Sequence, residues 1–125
     1  MKRKCLFVVL GIFILLFGCS LNTKAYKINP PSWIIGTWSD EYSINQFRFT
    51  EHNIVLSIPS LSVDMSEAFK SANINEDISI STYRVNASQS GTTLILKFDK
   101  VNSTSINYYV TSSGITVGPI TLGKK

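Results

Sequence analysis

The side chains able to carry acid–base or metal chemistry are few. His52 is the only histidine in the 125-residue chain and stands between Glu51 and Asn53. It could act as a metal ligand or a general base. A protein metal centre takes about four converging ligands, and no second histidine exists to join it. The sequence therefore assigns His52 to a solvated hairpin turn. The acidic pairs Asp40-Glu41 and Glu76-Asp77 could hold calcium, which takes roughly six to eight oxygen ligands. No loop shows the alternating acid spacing that would supply them. A carboxylate pair could also serve a glycoside hydrolase as acid and as nucleophile or base, but nothing in the spacing sets a pair at the needed separation. No serine lies in a nucleophile elbow, and no phosphate-cradling or dinucleotide fingerprint occurs. The expectation is a chain that is not an enzyme and needs neither cofactor nor metal.

Charge narrows the partners. Formal net charge is +4, from twelve basic and eight acidic residues. Lys2, Arg3 and Lys4 lie in the first few positions, and no acid precedes Cys19. The remainder is close to neutral. Lys70, Arg84, Lys97 and Lys100 are scattered and Lys124-Lys125 is a terminal pair, whereas a phosphate-binding surface needs clustered cations. Nucleic acid is not an expected partner.

The opening Met1-Lys2-Arg3-Lys4 leads into the apolar run Cys5 to Phe17, the charged and apolar regions of an export signal. The segment Leu16-Phe17-Gly18-Cys19 then resembles the lipobox of bacterial lipoproteins, with Phe17 bulkier than the residue usual at its position. The resemblance implies that residues 1–18 are a signal peptide, that a peptidase cuts before Cys19, and that the Cys19 thiol receives diacylglycerol. The partner would then be a lipid bilayer, reached through acylated Cys19. A membrane-spanning helix is the first alternative, but a span takes about 20 predominantly apolar residues and this run meets Ser20 and Asn22 too early. A plain secretory signal is the second. Several acyl chains on one cysteine would anchor without help from the folded domain, at about 0.8 kcal/mol per buried methylene. Ser20 is not the aspartate that marks inner-membrane retention in enteric bacteria, so the expected address is the outer membrane or cell surface. Residues 19–31 read as lipidated cysteine and flexible tether. Cys5 and Cys19 are the only cysteines, which leaves residues 32–125 to fold as one domain held by its core, without a disulfide.

Those residues are rich in Ser, Thr, Asn, Ile, Val, Phe and Tyr, the composition of strands joined by polar turns. Trp33 to Ser39 reads as a first strand and Ser43 to Thr50 as a second, with Phe47 and Phe49 on one face at period two. Glu51-His52-Asn53 turns into a third, marked by Ile54, Leu56 and Ile58. Met65, Ala68, Phe69 and Ala72 recur at helical spacing, and Asp64 with Glu67 matches a capping box. One short helix from Met65 to Ala72 is expected, ended by Asn73-Ile74-Asn75. The parity change between Ile78, Ile80 and Tyr83, Val85 predicts a bulge near Ser81-Thr82. Asn86 to Gly91 and Asp99 to Asn102 read as turns. Leu94, Leu96 and Phe98 form one face, and Ile106, Tyr108 and Val110 another. A turn at Ser112-Ser113-Gly114 leads to Ile115 and Val117, then Gly118-Pro119, a bulge or edge position, then Ile120 and Leu122. Roughly seven strands with short antiparallel connections follow.

Such strands close into a barrel or pack as a sandwich or open sheet. Gly36-Thr37-Trp38, within Trp33-Ile34-Ile35-Gly36-Thr37-Trp38, resembles the Gly-x-Trp signature of the lipocalin superfamily and sits at the start of the first strand, as it does there. The resemblance implies an all-β fold: a small antiparallel up-and-down barrel with one short helix between strands, of the kind seen in small lipocalin-like bacterial lipoproteins. It also implies that Gly36 permits a tight entry and that Trp38 closes the barrel floor against an arginine from near the chain end. This chain has Lys124 and Lys125 there instead, and lacks the family's second signature turn. The inward set Phe47, Phe49, Leu56, Phe98 and Tyr108 either lines a site for one small apolar ligand or fills a ligand-free core; a barrel of this size has just enough room for either. Tyr42, Tyr83 and Tyr109 are the aromatic candidates for contact with an envelope protein, the competing function.

Overall fold

A computed structural model describes residues 28–125. Residues 1–27 lie outside that range, and with them the expected signal peptide, Cys19 and most of the expected tether. The described chain forms nine strands: β1 (Gly36–Ser39), β2 (Gln46–Thr50), β3 (Asn53–Ile58), β4 (Leu61–Asp64), β5 (Asn73–Ile78), β6 (Thr82–Gln89), β7 (Thr92–Asn102), β8 (Ser105–Ser112) and β9 (Ile115–Lys124). One helix, α1 (Met65–Ala68), joins β4 to β5, and a 3-10 turn (Ser32–Ile34) precedes β1. All nine strands belong to one antiparallel sheet in the order β4-β3-β2-β1-β9-β8-β7-β6-β5. The sheet curls through 233° into a half-barrel with a calycin-like, lipocalin-like fold.

Each strand pairs with its sequence neighbour except across one break, between β4 and β5. Alternation along the meander makes β4 and β5 run in the same direction, so α1 and the residues after it return along the opening. Turns also sort to two ends. The β1–β2, β3–β4, β6–β7 and β8–β9 connections lie at the distal end. The β2–β3, β5–β6 and β7–β8 turns lie at the proximal end, where both ends of the described segment also lie. There the Lys124 amide donates to Thr104 O at 2.9 Å and the Lys125 amide to Thr37 O at 2.8 Å.

Period two decides which side chains enter the interior. Phe47 and Phe49 are buried while Arg48 between them is exposed. Leu94, Leu96 and Phe98 on β7, Ile106, Tyr108 and Val110 on β8, and Tyr83, Val85 and Ala87 on β6 face the same core. Register brings Phe47 opposite Trp38 on one side and Leu56 on the other, and Phe98 opposite both Tyr83 and Tyr108.

The fold corrects several expected elements. There are nine strands rather than seven. Trp33 and Ile34 belong to the 3-10 turn, not to β1. The expected bulge at Ser81-Thr82 is a turn between separate strands, closed by the Ser79 Oγ, which accepts from the Thr82 amide at 2.9 Å and the Ser81 amide at 3.2 Å. Asn73-Ile74-Asn75 opens β5 instead of only ending the helix, β6 runs on through Asn86 to Gln89, and β7 continues through Asp99 to Asn102. The helix is shorter than expected, although the Phe69 amide still reaches Met65 O at 2.9 Å. Its cap is as expected on the Asp64 side: Asp64 Oδ1 accepts from the Glu67 amide at 3.2 Å. The Gly118-Pro119 bulge is present, since Tyr108 pairs with Ile120 and Val110 with Val117. Gly118 has φ +129°, and a Cβ there would lie 2.7 Å from the Tyr108 carbonyl oxygen.

Residues 28–31, read with the tether, pack on the domain. Ile28 is fully buried in the core and Pro30 is buried. The packed domain therefore begins before Ser32, because burial of Ile28 and the bonds of Asn29 hold this strap to the barrel.

Candidate functional site

The sequence signature at β1 forms the seam that joins first strand to last. β1 and β9 share only two residue pairs, Trp38 with Lys124 and Ser39 with Gly123. Trp38 is buried, and its indole N–H donates to Ile34 O at 2.8 Å, which satisfies its one polar atom. The Lys124 ammonium lies 5.6 Å from the Trp38 ring centroid. A lysine thus takes the cationic place for which the resembled family uses arginine. Gly36, with φ +132°, leaves room for it, since a Cβ there would sit 3.3 Å from Lys124 Cε.

The residues read as ligand-binding or core lie together in the interior. Phe47 lies 5.2 Å from Phe98 and 4.7 Å from Tyr108 between ring centroids, and Phe49 lies 5.0 Å from Phe98. Phe98 stacks on Tyr108 at 5.1 Å. Leu56 is buried beside them. Edge-to-face and stacked pairs at these distances contribute about 0.5–1.5 kcal/mol each beyond area burial. Within this aromatic cluster the Tyr108 hydroxyl is buried and finds no hydrogen-bond partner among the described residues. Burial pushes its pKa well above the ordinary value, because the phenolate would lose its solvation.

Tyr83, a candidate for contact with an envelope protein, is fully buried. Its parity on β6 points it inward, and its hydroxyl donates to Glu76 Oε2 at 2.5 Å. Glu76 Oε2 also accepts from the Asn29 backbone N–H at 2.8 Å. The Asn29 side chain meets His52 Nδ1 at 2.8 Å. Strap, β5 edge and β2–β3 turn are thereby joined through one asparagine. No pattern in the sequence pointed to this linkage, whose partners lie 23 and 47 positions from Asn29. Tyr109 faces outward, with the Lys97 ammonium 5.2 Å from its ring, and Tyr42 is exposed.

The acidic residues hold local structure. Asp40 Oδ1 accepts from the Ile44 amide at 2.7 Å and Oδ2 from Asn45 Nδ2 at 3.1 Å, which closes the β1–β2 loop. Asp77 Oδ2 takes Arg84 Nε at 3.1 Å and a second guanidinium nitrogen at 2.7 Å. His52 is exposed, with Glu51 3.4 Å away. No group of three metal-ligating side chains occurs among the described residues. Two open clefts lie outside the barrel. One of about 550 Å³ sits beside Asp40, Glu41 and Pro119, where β9 outruns β1. One of about 560 Å³ lies by Pro30, Arg48 and Glu51 at the proximal end. Comparison with protein-family models, with curated proteins and with solved structures finds no match.

Proposed function

We propose that the chain is an exported lipoprotein, cut before Cys19 and held to a membrane by acyl chains on that residue, whose half-barrel acts as a non-enzymatic interaction or structural module at the cell envelope. The observation that favours a module over a carrier is the interior itself. Phe47, Phe49, Phe98 and Tyr108 occupy the space an apolar ligand would need, ring against ring. The carboxylates of Asp40 and Asp77 are engaged in loop and strand contacts, which argues against a hydrolytic pair. Function then falls to the outer surface. The outer membrane or cell surface is the proposed address, on the lipobox-like segment and Ser20.

A second reading keeps a small ligand in the interior. The buried, unpartnered Tyr108 hydroxyl favours it, since burying such a group without a hydrogen bond costs about 1–3 kcal/mol.

Anchoring is tested by mass spectrometry of the full chain from an envelope-bearing bacterial host, beside Cys19→Ala. The expected wild-type N-terminal peptide begins at Cys19 and carries diacylglycerol, while Cys19→Ala loses the lipid and membrane fractionation. An unmodified thiol at Cys19 in a membrane-free protein contradicts the reading.

A further inference from the structure

The proximal end of the barrel carries three exposed apolar side chains on neighbouring tips. Ile80, in the β5–β6 turn, is 89% exposed; Ile78 is 51% and Val101, at the end of β7, 55% exposed. They are neighbours because the Lys100 amide donates to Ser81 O at 2.7 Å and Thr82 pairs with Asp99. The ladder thus continues past the strand end and sets Ile80 beside Val101. The turn is braced from behind: the Trp33 indole N–H donates to Ser79 O at 2.9 Å, and the Lys100 ammonium lies 6.0 Å from the Trp33 ring. A β-branched side chain left this open at a braced turn gains nothing from the fold, for it buries almost no surface.

The chain leaves the described domain at this same end. Ile28 is nine residues beyond Cys19, and Lys24 and Lys27 lie between them with no acid. Fully extended, nine residues span roughly 30 Å. A lipid on Cys19 therefore keeps the domain within about its own diameter of a bilayer, with the proximal end nearest the tether's exit. Lysines close to a membrane surface are attracted to anionic headgroups, and Lys100 stands beside the apolar tips.

We propose that the proximal end is a membrane-contact surface, with Ile80 and Val101 entering the interface of the bilayer that holds the anchor and Lys100 meeting its headgroups. This rests on acylation of Cys19. The occupant is the lipid surface. The tips are small, apolar and convex, they flank a lysine, and the tether brings a bilayer to them. The distal end, with Tyr42, Leu61 and Ile115 exposed but far from the tether's exit, then faces away from the membrane.

The test uses the full lipidated chain in vesicles of phosphatidylethanolamine and phosphatidylglycerol. Ile80→Cys, Val101→Cys and, as the distal control, Tyr42→Cys each provide one free thiol, because Cys5 leaves with the signal and Cys19 is acylated. Each carries a nitroxide whose collisions with oxygen and with a water-soluble nickel chelate are compared. The expected result is an oxygen-to-nickel accessibility ratio several-fold higher at positions 80 and 101 than at 42. Equal, water-like ratios at all three positions, on protein whose mass shows lipid at Cys19, overturn the contact surface and leave anchoring intact. Shielding of position 80 from both reagents identifies a protein occupant and overturns the lipid one. A Cys19 without lipid overturns both proposals together.

Discussion

The half-barrel is completed in two unlike ways. At the seam between β1 and β9, backbone pairing does the work: two residue pairs, with Trp38 beneath and Lys124 across it. At the opening between β4 and β5 no strands pair, and side chains fill the gap. Met65, Phe69 and Ala72 from the helical connection are buried there, and Ile28 joins the core from the strap. A seam built from backbone needs particular residues at a few positions. An opening built from side chains needs many modest contacts brought from distant parts of the chain.

The largest effect is expected at the seam. Trp38→Ala removes a buried indole and its bond to Ile34 O, and should cost about 3–5 kcal/mol, read as a lowered denaturation midpoint by urea titration. Phe69→Ala opens a cavity of similar chemistry, but α1 lies over an unpaired edge and can settle inward. A loss of about 2–4 kcal/mol is expected, with faster amide exchange concentrated in β4 and β5. If exchange rises equally in β8 and β9, the opening and the seam are not separate devices.

Two interior tyrosines sharpen the contrast at smaller magnitude. Tyr83 has its hydroxyl on Glu76 and helps hold the strap; Tyr83→Phe should cost about 1 kcal/mol and loosen residues 28–31. Tyr108 has no such partner among the described residues. Tyr108→Phe is expected to leave stability unchanged or raise it by about 1 kcal/mol. Its pH dependence has a definite sign. Burial raises the folded-state pKa above the ordinary value of 10.0, so the folded state holds this proton more tightly than the unfolded chain does. The associated stability is complete below about pH 10 and is lost as pH rises further, by about 1.4 kcal/mol per pH unit. Tyr108→Phe should lack that part of the alkaline slope when compared with wild type by urea titration. A Tyr108→Phe protein that is clearly less stable at neutral pH would mean the hydroxyl holds a bound molecule.

The same contrast explains what could be read in advance. The seam was legible because Gly36, Trp38 and the period-two run around Phe47 and Phe49 announce themselves within a few residues. The inward set was legible for the same reason, as were the Asp64 cap and the Gly118-Pro119 bulge. The opening was not. β5 is mostly polar, Asn73-Ile74-Asn75-Glu76-Asp77-Ile78, and is a strand because β6 pairs with it along six residues. The turn before β6 lacks glycine, proline and asparagine; a serine hydroxyl closes it. β4 offers one buried residue, Val63, too little for a pattern. The strap depends on Asn29 reaching Glu76 across 47 positions, which no local window contains.

On the proposed function the interior is a solid aromatic core and the work is done outside it. The most direct measurement is native mass spectrometry of the full protein from its own host, compared with the denatured mass. The same mass is expected in both states, with no mass beyond the polypeptide and any lipid covalently attached at Cys19. A further apolar molecule retained under native conditions and released on denaturation would contradict it, and would make Phe47, Phe49, Leu56, Phe98 and Tyr108 the walls of a binding site.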